Sequence, residues 1–417
     1  MIEYSRFQLP NGLVVLIHED DSTPMAVVNV LYQVGARDES PDKTGFAHLF
    51  EHLMFGGSKH APDFDDPIQL AGGENNAFTN NDITNFYNIL PAENLETALW
   101  LESDRMQYLN FDKKVLEVQK KVVVEEFKES CLNEPYGDVW HHLSELAYKV
   151  HPYRWPTIGK VPEHVAGVGM PDVEDFYRRF YKPNNAVLVV TGNIVTDEVR
   201  ALVEKWFGDI PMGDPVVKDL PVEPAQERFE KRINYANVPV DALYMAFHAP
   251  SRMEFDFYVA DLLSDMLCNG ASSRLYSELL KKRQLFSQID CYLSGSVDPG
   301  LFVIEGKPSA GVALEEAEAA IWQELGYLLE HPVSEEELQK WKNKMESTLV
   351  FSEGNALNKA MNLAFFEALG DVELINREAE LYQQITPADI QRVAKQILTV
   401  ENCSEVIYKA AAEPVSV

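Results

Sequence analysis

The chain has 417 residues, with 36 lysines and arginines against 66 aspartates and glutamates, so its formal charge is 36 − 66 = −30. That balance argues against nucleic acid and against anionic membrane surfaces as partners. Hydrophobic residues make up 46% and aromatic residues 11%, which excludes a disordered chain, and the length exceeds one simple core, so two or more domains are expected.

Met1-Ile2-Glu3-Tyr4 runs directly into a strand pattern and leaves no room for a signal or transit peptide. The expected location is therefore cytoplasmic, or periplasmic if the start is not native. No run of eighteen apolar residues occurs, so no membrane-spanning helix is expected. Residues 5–20 predict a hairpin: Phe7-Gln8-Leu9, the turn Pro10-Asn11-Gly12, then Leu13-Val14-Val15-Leu16-Ile17, because Asn-Gly between apolar runs favours a tight turn. A second strand is predicted over 25–34, ending at Gly35.

The next stretch, Gly45-Phe46-Ala47-His48-Leu49-Phe50-Glu51-His52-Leu53-Met54-Phe55, has helical spacing, with Phe46, Leu49, Phe50, Leu53 and Met54 forming an apolar stripe. His48 and His52 are about one turn apart and project from one side of such a helix. Two imidazoles so placed can bind one tetrahedral zinc, and Glu51 beside them can act on a water at the metal. A solvated helix face with Glu51 paired to a lysine is the plainer alternative, and a third ligand decides between them. Residues 72–87 then predict two short strands about a polar turn, 92–109 a helix, and Val115 to Phe127 a second long helical run.

The His48-Leu49-Phe50-Glu51-His52 motif (H-x-x-E-H) and that second run together resemble the pitrilysin-type metallopeptidases, or inverzincins, the group holding insulin-degrading enzyme and mitochondrial processing peptidase. The resemblance implies a third ligand, a glutamate on the later helix. Glu126 follows His52 by 126 − 52 = 74 residues and precedes an apolar residue, as the family's ligand does. Glu125 points about 100° away around the helix. One Zn2+ per chain is implied, held by His48, His52 and Glu126, with Glu51 as the catalytic base. The resemblance also implies that Asn76, Ala77 and Phe78 lie on an edge strand to which a peptide substrate adds itself by main-chain hydrogen bonds. Without the zinc motif, that asparagine-rich stretch reads as a hairpin turn.

Further along, His141, His142 and His151 have no ligand spacing and are expected to be structural. A helix is predicted over 172–181, a buried strand over 185–192 and a helix over 196–207. Pro211, Gly213, Pro215, Pro221 and Pro224 mark a linker at 211–228. The four cysteines, Cys131, Cys268, Cys291 and Cys403, are scattered and read as reduced.

The remainder repeats the first part weakly. Leu49 to Gly57 lies against Leu262 to Gly270, and Leu31-Tyr32 against Leu243-Tyr244, at nearly the same offset. In the second copy His48, Glu51 and His52 become Asp261, Ser264 and Asp265, a set poor for zinc. The organisation expected is thus an N-terminal zinc-binding peptidase half at 1–210, the linker, and a homologous C-terminal half without metal at 229–417. Each half is expected to be an α/β sandwich of the α+β class: a mixed, largely antiparallel sheet with helices packed on it.

Two departures from the family pattern stand out. A glutamate that supports the ligands usually stands seven residues before the third one; here that position is Gln119, and Glu117 lies off the same face. The C-terminal half normally carries an arginine and a tyrosine that reach the substrate carbonyl; here those positions fall on Leu280 and Ser287, neither of which can stabilise an oxyanion as arginine and tyrosine would. The expected protein is a zinc endopeptidase acting on peptides or short unfolded polypeptides in a chamber between paired subunits. Its partner is expected to be a homologous subunit supplying the Arg/Tyr pair, a homodimer being the alternative. The rival reading is a catalytically weak or inactive peptide-binding or scaffold subunit.

Overall fold

A computed structural model describes residues 1–411. The first sheet contains β1 (Ser5–Gln8), β2 (Val14–Glu19), β3 (Met25–Tyr32), β4 (Glu74–Thr79), β5 (Thr84–Pro91) and β6 (Ala186–Gly192), in the order β1-β2-β6-β3-β5-β4. β2 and β6 run parallel and every other neighbouring pair antiparallel. The expected hairpin forms, with Ser5 opposite Ile17 and Gln8 opposite Val14, and Gly12 supplies the positive φ (90°) that its turn needs.

The helices of the first part are α1 (Phe46–Met54), α2 (Asp65–Leu70), α3 (Leu95–Tyr108), α4 (Lys113–Phe127), α5 (Val139–Ala147), α6 (Pro162–Ala166), α7 (Met170–Phe180) and α8 (Thr196–Phe207). Phe46, Phe50, Leu53 and Met54 of α1 enter one core with β-strand residues such as Val28, Val30 and Leu188.

The second sheet contains β7 (Glu230–Ala236), β8 (Ala242–His248), β9 (Phe286–Leu293), β10 (Leu301–Pro308) and β11 (Cys403–Ala410), in the order β7-β11-β8-β10-β9. Only β7 and β11 run parallel. Strand for strand this is the first sheet without β1, so the weak repeat read from Leu31-Tyr32 and Leu243-Tyr244 is a repeat of architecture: those pairs sit on β3 and β8, each central in its sheet. The remaining helices are α9 (Phe255–Cys268), α10 (Leu314–Glu330), α11 (Glu335–Ser352), α12 (Ala356–Leu369), α13 (Leu374–Gln384) and α14 (Pro387–Ile397). The fold is α+β, two homologous halves of mixed sheet and helices.

The chain forms two compact units, and they are not a plain halving. One holds Met1–Lys128, Trp155–Leu220 and Val350–Arg377; the other holds Glu129–Arg154, Pro221–Leu349 and the chain from Glu378 on. The change at Leu220 and Pro221 lies inside the 211–228 segment, but each unit also takes a helix from the other part of the sequence. The physical reason is burial on two faces. β6 is buried at every residue, as are the seven residues of β3 after Met25, so one layer of helices cannot cover them. α12 packs on β3 and β6 to cover the second face, and α5 does the same on β7, β8 and β11.

Two of the histidines expected to be structural make local polar contacts. His142 bonds Asp138 (3.0 Å) and Arg232 (2.9 Å), and His151 lies 3.3 Å from Asp298. All four cysteines are free thiols, and no helix among the described residues is long and apolar enough to cross a membrane.

Candidate active site

α1 presents its histidines because its other faces are occupied. Phe46, Ala47, Leu49, Phe50, Leu53 and Met54 are all buried, which leaves His48 and His52 side by side, only 15% and 26% exposed. α4 fixes itself with Leu116, Val123 and Phe127 and turns Glu126 toward that pair. Glu125 instead is exposed and pairs with Lys128 at 2.6 Å.

The Nε2 atoms of His48 and His52 are 3.3 Å apart. Glu126 places Oε1 at 3.7 Å from the first and Oε2 at 3.4 Å from the second. Ligand atoms about 2.0–2.1 Å from a tetrahedral zinc stand roughly 3.3–3.4 Å from one another, so the spacing of this set is close to what that ion takes. Among the described residues it is the only group of three or more His, Cys, Asp or Glu side chains close enough to hold a metal.

Burial draws the pKa of His48 down, while the charge of Glu126 works against this. Glu126 itself is held below the ordinary carboxylate range, chiefly by its hydrogen bond with His52. Burial pushes Glu51 up, and a hydrogen bond from Thr79 partly offsets that. This is the direction a group needs if it is to accept a proton and pass it on. Thr79 donates its hydroxyl to Glu51 Oε2 at 2.6 Å.

Gln119 lies seven residues before Glu126 on the same helix. It is half-buried on α4, while Nδ1 of His48 is buried with no hydrogen-bond partner among the described residues. Asn76, Ala77 and Phe78 lie on β4, which is an edge strand. Asn76 and Phe78 point outward and Ala77 inward, as strand alternation requires. The N–H of Ala77 donates to Asn76 Oδ1 at 2.8 Å, so β5 does not take it.

Two residues escaped the sequence reading. Thr79 was signalled only by parity, since it shares the inward face of β4 with Ala77. Glu39 accepts main-chain N–H groups at the start of α1 and left no side-chain motif to find.

The corresponding place in the second unit is filled. Asp261 accepts the Tyr382 hydroxyl at 2.5 Å, and Asp265 lies 3.5 Å from Lys344 Nζ. Leu280 follows the end of α9, and Ser287 on β9 donates to the Lys307 carbonyl at 3.1 Å.

Among the described residues, the first unit carries a His-His-Glu group that could hold a metal ion and the second carries none. A family model described as "Insulinase (Peptidase family M16)" matches residues 14–160, and one described as "Peptidase M16 inactive domain" matches 168–345. The chain belongs to the M16, or insulinase and pitrilysin, family. It is 28% identical over 407 residues to the zinc protease PqqE of Helicobacter pylori, covering 96% of this chain and 91% of that one. It is 25% identical to the uncharacterized zinc protease YmxG of Bacillus subtilis, covering 98% and 99%. The beta subunit of the mitochondrial-processing peptidase of Saccharomyces cerevisiae is 26% identical over 262 residues, 61% of this chain and 55% of that one. A crystal structure of a protease from Helicobacter pylori superposes with a TM-score of 0.92 at 27% identity, covering 98% of this chain and all of the other.

Proposed function

We propose that the chain is a zinc endopeptidase that hydrolyses peptides or short unfolded polypeptides, and that it is complete when paired with a homologous subunit. The observation that carries this reading is the meeting of His48, His52 and Glu126 at zinc-ligand spacing, with Glu51 one residue from His52. The relatives named as zinc proteases over nearly the whole chain support it.

Zinc, when bound, supplies Lewis acidity and lowers the pKa of water to about 7. The remaining work belongs to side chains and backbone of this chain. His48 and His52 donate neutral imidazole nitrogens and Glu126 a carboxylate oxygen. Glu51 takes the proton of the attacking water and delivers it to the leaving amine, while Thr79 holds its carboxylate in place. The free edge of β4 aligns the substrate backbone as an added strand, and an incoming carbonyl competes with the Asn76 side chain for the N–H of Ala77. Leu280 and Ser287 cannot stabilise the developing oxyanion as an arginine and a tyrosine would, which is the reason for assigning an Arg/Tyr pair to a partner subunit.

Glu51→Gln tests the base directly. The variant is expected to bind zinc as the parent does and to lose at least about 10²–10⁴-fold in turnover; normal cleavage removes Glu51 from that role. Assaying an unstructured peptide with the chain alone, and with its homologous partner added, tests the pairing. Full activity from the lone chain overturns it. Zinc binding without cleavage under either condition favours the peptide-binding or scaffold reading, for which the match of residues 168–345 to a model described as an inactive domain speaks.

A further inference from the structure

We propose that Glu39 is a positioning residue for the helix that carries His48 and His52: it locks the first turn of α1 through main-chain amides, so that the two imidazoles stand within 3.4–3.7 Å of the Glu126 carboxylate. This rests on the zinc reading above and adds a residue outside the ligand set.

The start of α1 cannot cap itself. Its N-cap is Gly45, in the left-handed region at φ 81°, and a Cβ there would lie 2.6 Å from the Ile158 carbonyl oxygen. The serine, threonine or aspartate that usually accepts the first free amides of a helix is therefore sterically excluded. Those amides are also remote from water, since Phe46 and Ala47 are buried. Glu39 replaces the missing cap from the preceding loop. Its Oε2 accepts the N–H of Gly45 at 2.9 Å and its Oε1 the N–H of Ala47 at 2.8 Å. With each oxygen tied to a different amide, the carboxylate fixes both the axial position and the rotation of the turn. His48 is the next residue.

The device is costly, which argues that more than helix propensity is served. A buried carboxylate held only by neutral donors is poorly solvated, and burial pushes Glu39 up to about 8, with neighbouring Asp38 adding to the effect. Two nearby lysines are engaged elsewhere: Lys218 binds Asp38 at 2.9 Å and Lys43 binds Asp172 at 2.7 Å. The remaining charged groups of the adjoining cleft, Asp175 and Arg179, line it from α7. Metal sites tolerate errors of only about 0.2 Å in ligand distance, so a loosened first turn is felt at the imidazoles before it unfolds the helix.

The test compares the full-length parent with Glu39→Gln and Glu39→Ala, using His48→Ala as the control that destroys the site. Zinc affinity is measured by chelator competition, coordination geometry by the visible spectrum with cobalt(II) alone, and folding by circular dichroism and melting of the metal-free proteins. Glu39→Gln keeps one acceptor oxygen and is expected to fold. Its zinc affinity is expected to fall about tenfold, and that of Glu39→Ala up to about a hundredfold, the range found when groups supporting metal ligands are removed. The cobalt spectrum is expected to shift in both. If Glu39→Gln melts earlier yet binds zinc with parental affinity and an unchanged cobalt spectrum, Glu39 only stabilises the helix and the proposal fails. If the folded parent binds neither metal, the zinc reading fails with it. Parental binding that survives in both variants overturns this proposal alone.

Discussion

Thr79 and Asp261 show how single side chains separate the two units chemically. Thr79 donates to the Glu51 carboxylate, and Thr79→Val keeps its shape while deleting the hydroxyl. A hydrogen bond to a charged group contributes about 1.5–3 kcal/mol, so turnover is expected to fall about 10–100-fold with KM unchanged, and Thr79→Ser should restore most of it. Steady-state kinetics on one peptide decide this; an equal loss in the serine variant would show that the methyl group matters instead. Asp261, where the first copy has His48, behaves differently. Burial pushes its pKa up to about 6, with further repulsion from Asp265, against the Tyr382 hydrogen bond. A folded-state pKa above the unfolded one means that its contribution is complete below about pH 4 and is lost as pH rises through about 6. The bound on that loss is about 3 kcal/mol. Asp261→Asn still accepts from Tyr382 and cannot ionise, so its melting temperature is expected to fall less than the parent's between pH 4 and 6.5. Parallel pH profiles for the two proteins would refute the assignment.

At the level of elements, the legible parts were those whose partners are near in sequence. His48 and His52 declare each other at a spacing of four, and the β1–β2 hairpin declares itself through Asn11-Gly12. Glu126 needed the family resemblance, because nothing in α4 says which of two adjacent glutamates faces a helix some seventy residues earlier; packing of Val123 and Phe127 decides it. Glu39 was invisible because its partners are main-chain amides, which carry no residue code. The edge of β4 lies between these cases: its alternation is readable, its free side is not. Since the N–H of Ala77 goes to Asn76 rather than into the sheet, proline is tolerable there, as it is on the open side of edge strands. Ala77→Pro is expected to leave zinc binding intact and to raise KM for extended peptides about tenfold or more, in line with the loss of one main-chain hydrogen bond of about 0.5–1.5 kcal/mol together with a steric barrier to the added strand. Unchanged KM values would mean that substrates do not use this edge.

For the whole molecule, the exchange of α5 and α12 is the feature that sequence order conceals. Ala356–Leu369 reads as a helix with apolar Ala360, Leu363, Ala364 and Phe366, but that pattern cannot say which sheet it covers. The deciding quantity is the demand of β3 and β6, whose buried residues on both faces leave an apolar surface that α1, α3 and α8 cover from one side only. A surface of that size does not remain exposed on a soluble monomer. The fragment 1–220, though it holds His48, His52 and Glu126, should therefore aggregate or stay molten when produced alone. It also keeps α5 without the β7, β8 and β11 strands on which α5 packs. Co-expression with residues 221–417 should restore a soluble complex that binds zinc, because that piece carries α12 and accepts α5. A monomeric, cooperatively melting, zinc-binding 1–220 fragment would show that the first sheet needs no second cover, and the account of why this chain trades helices would have to be abandoned.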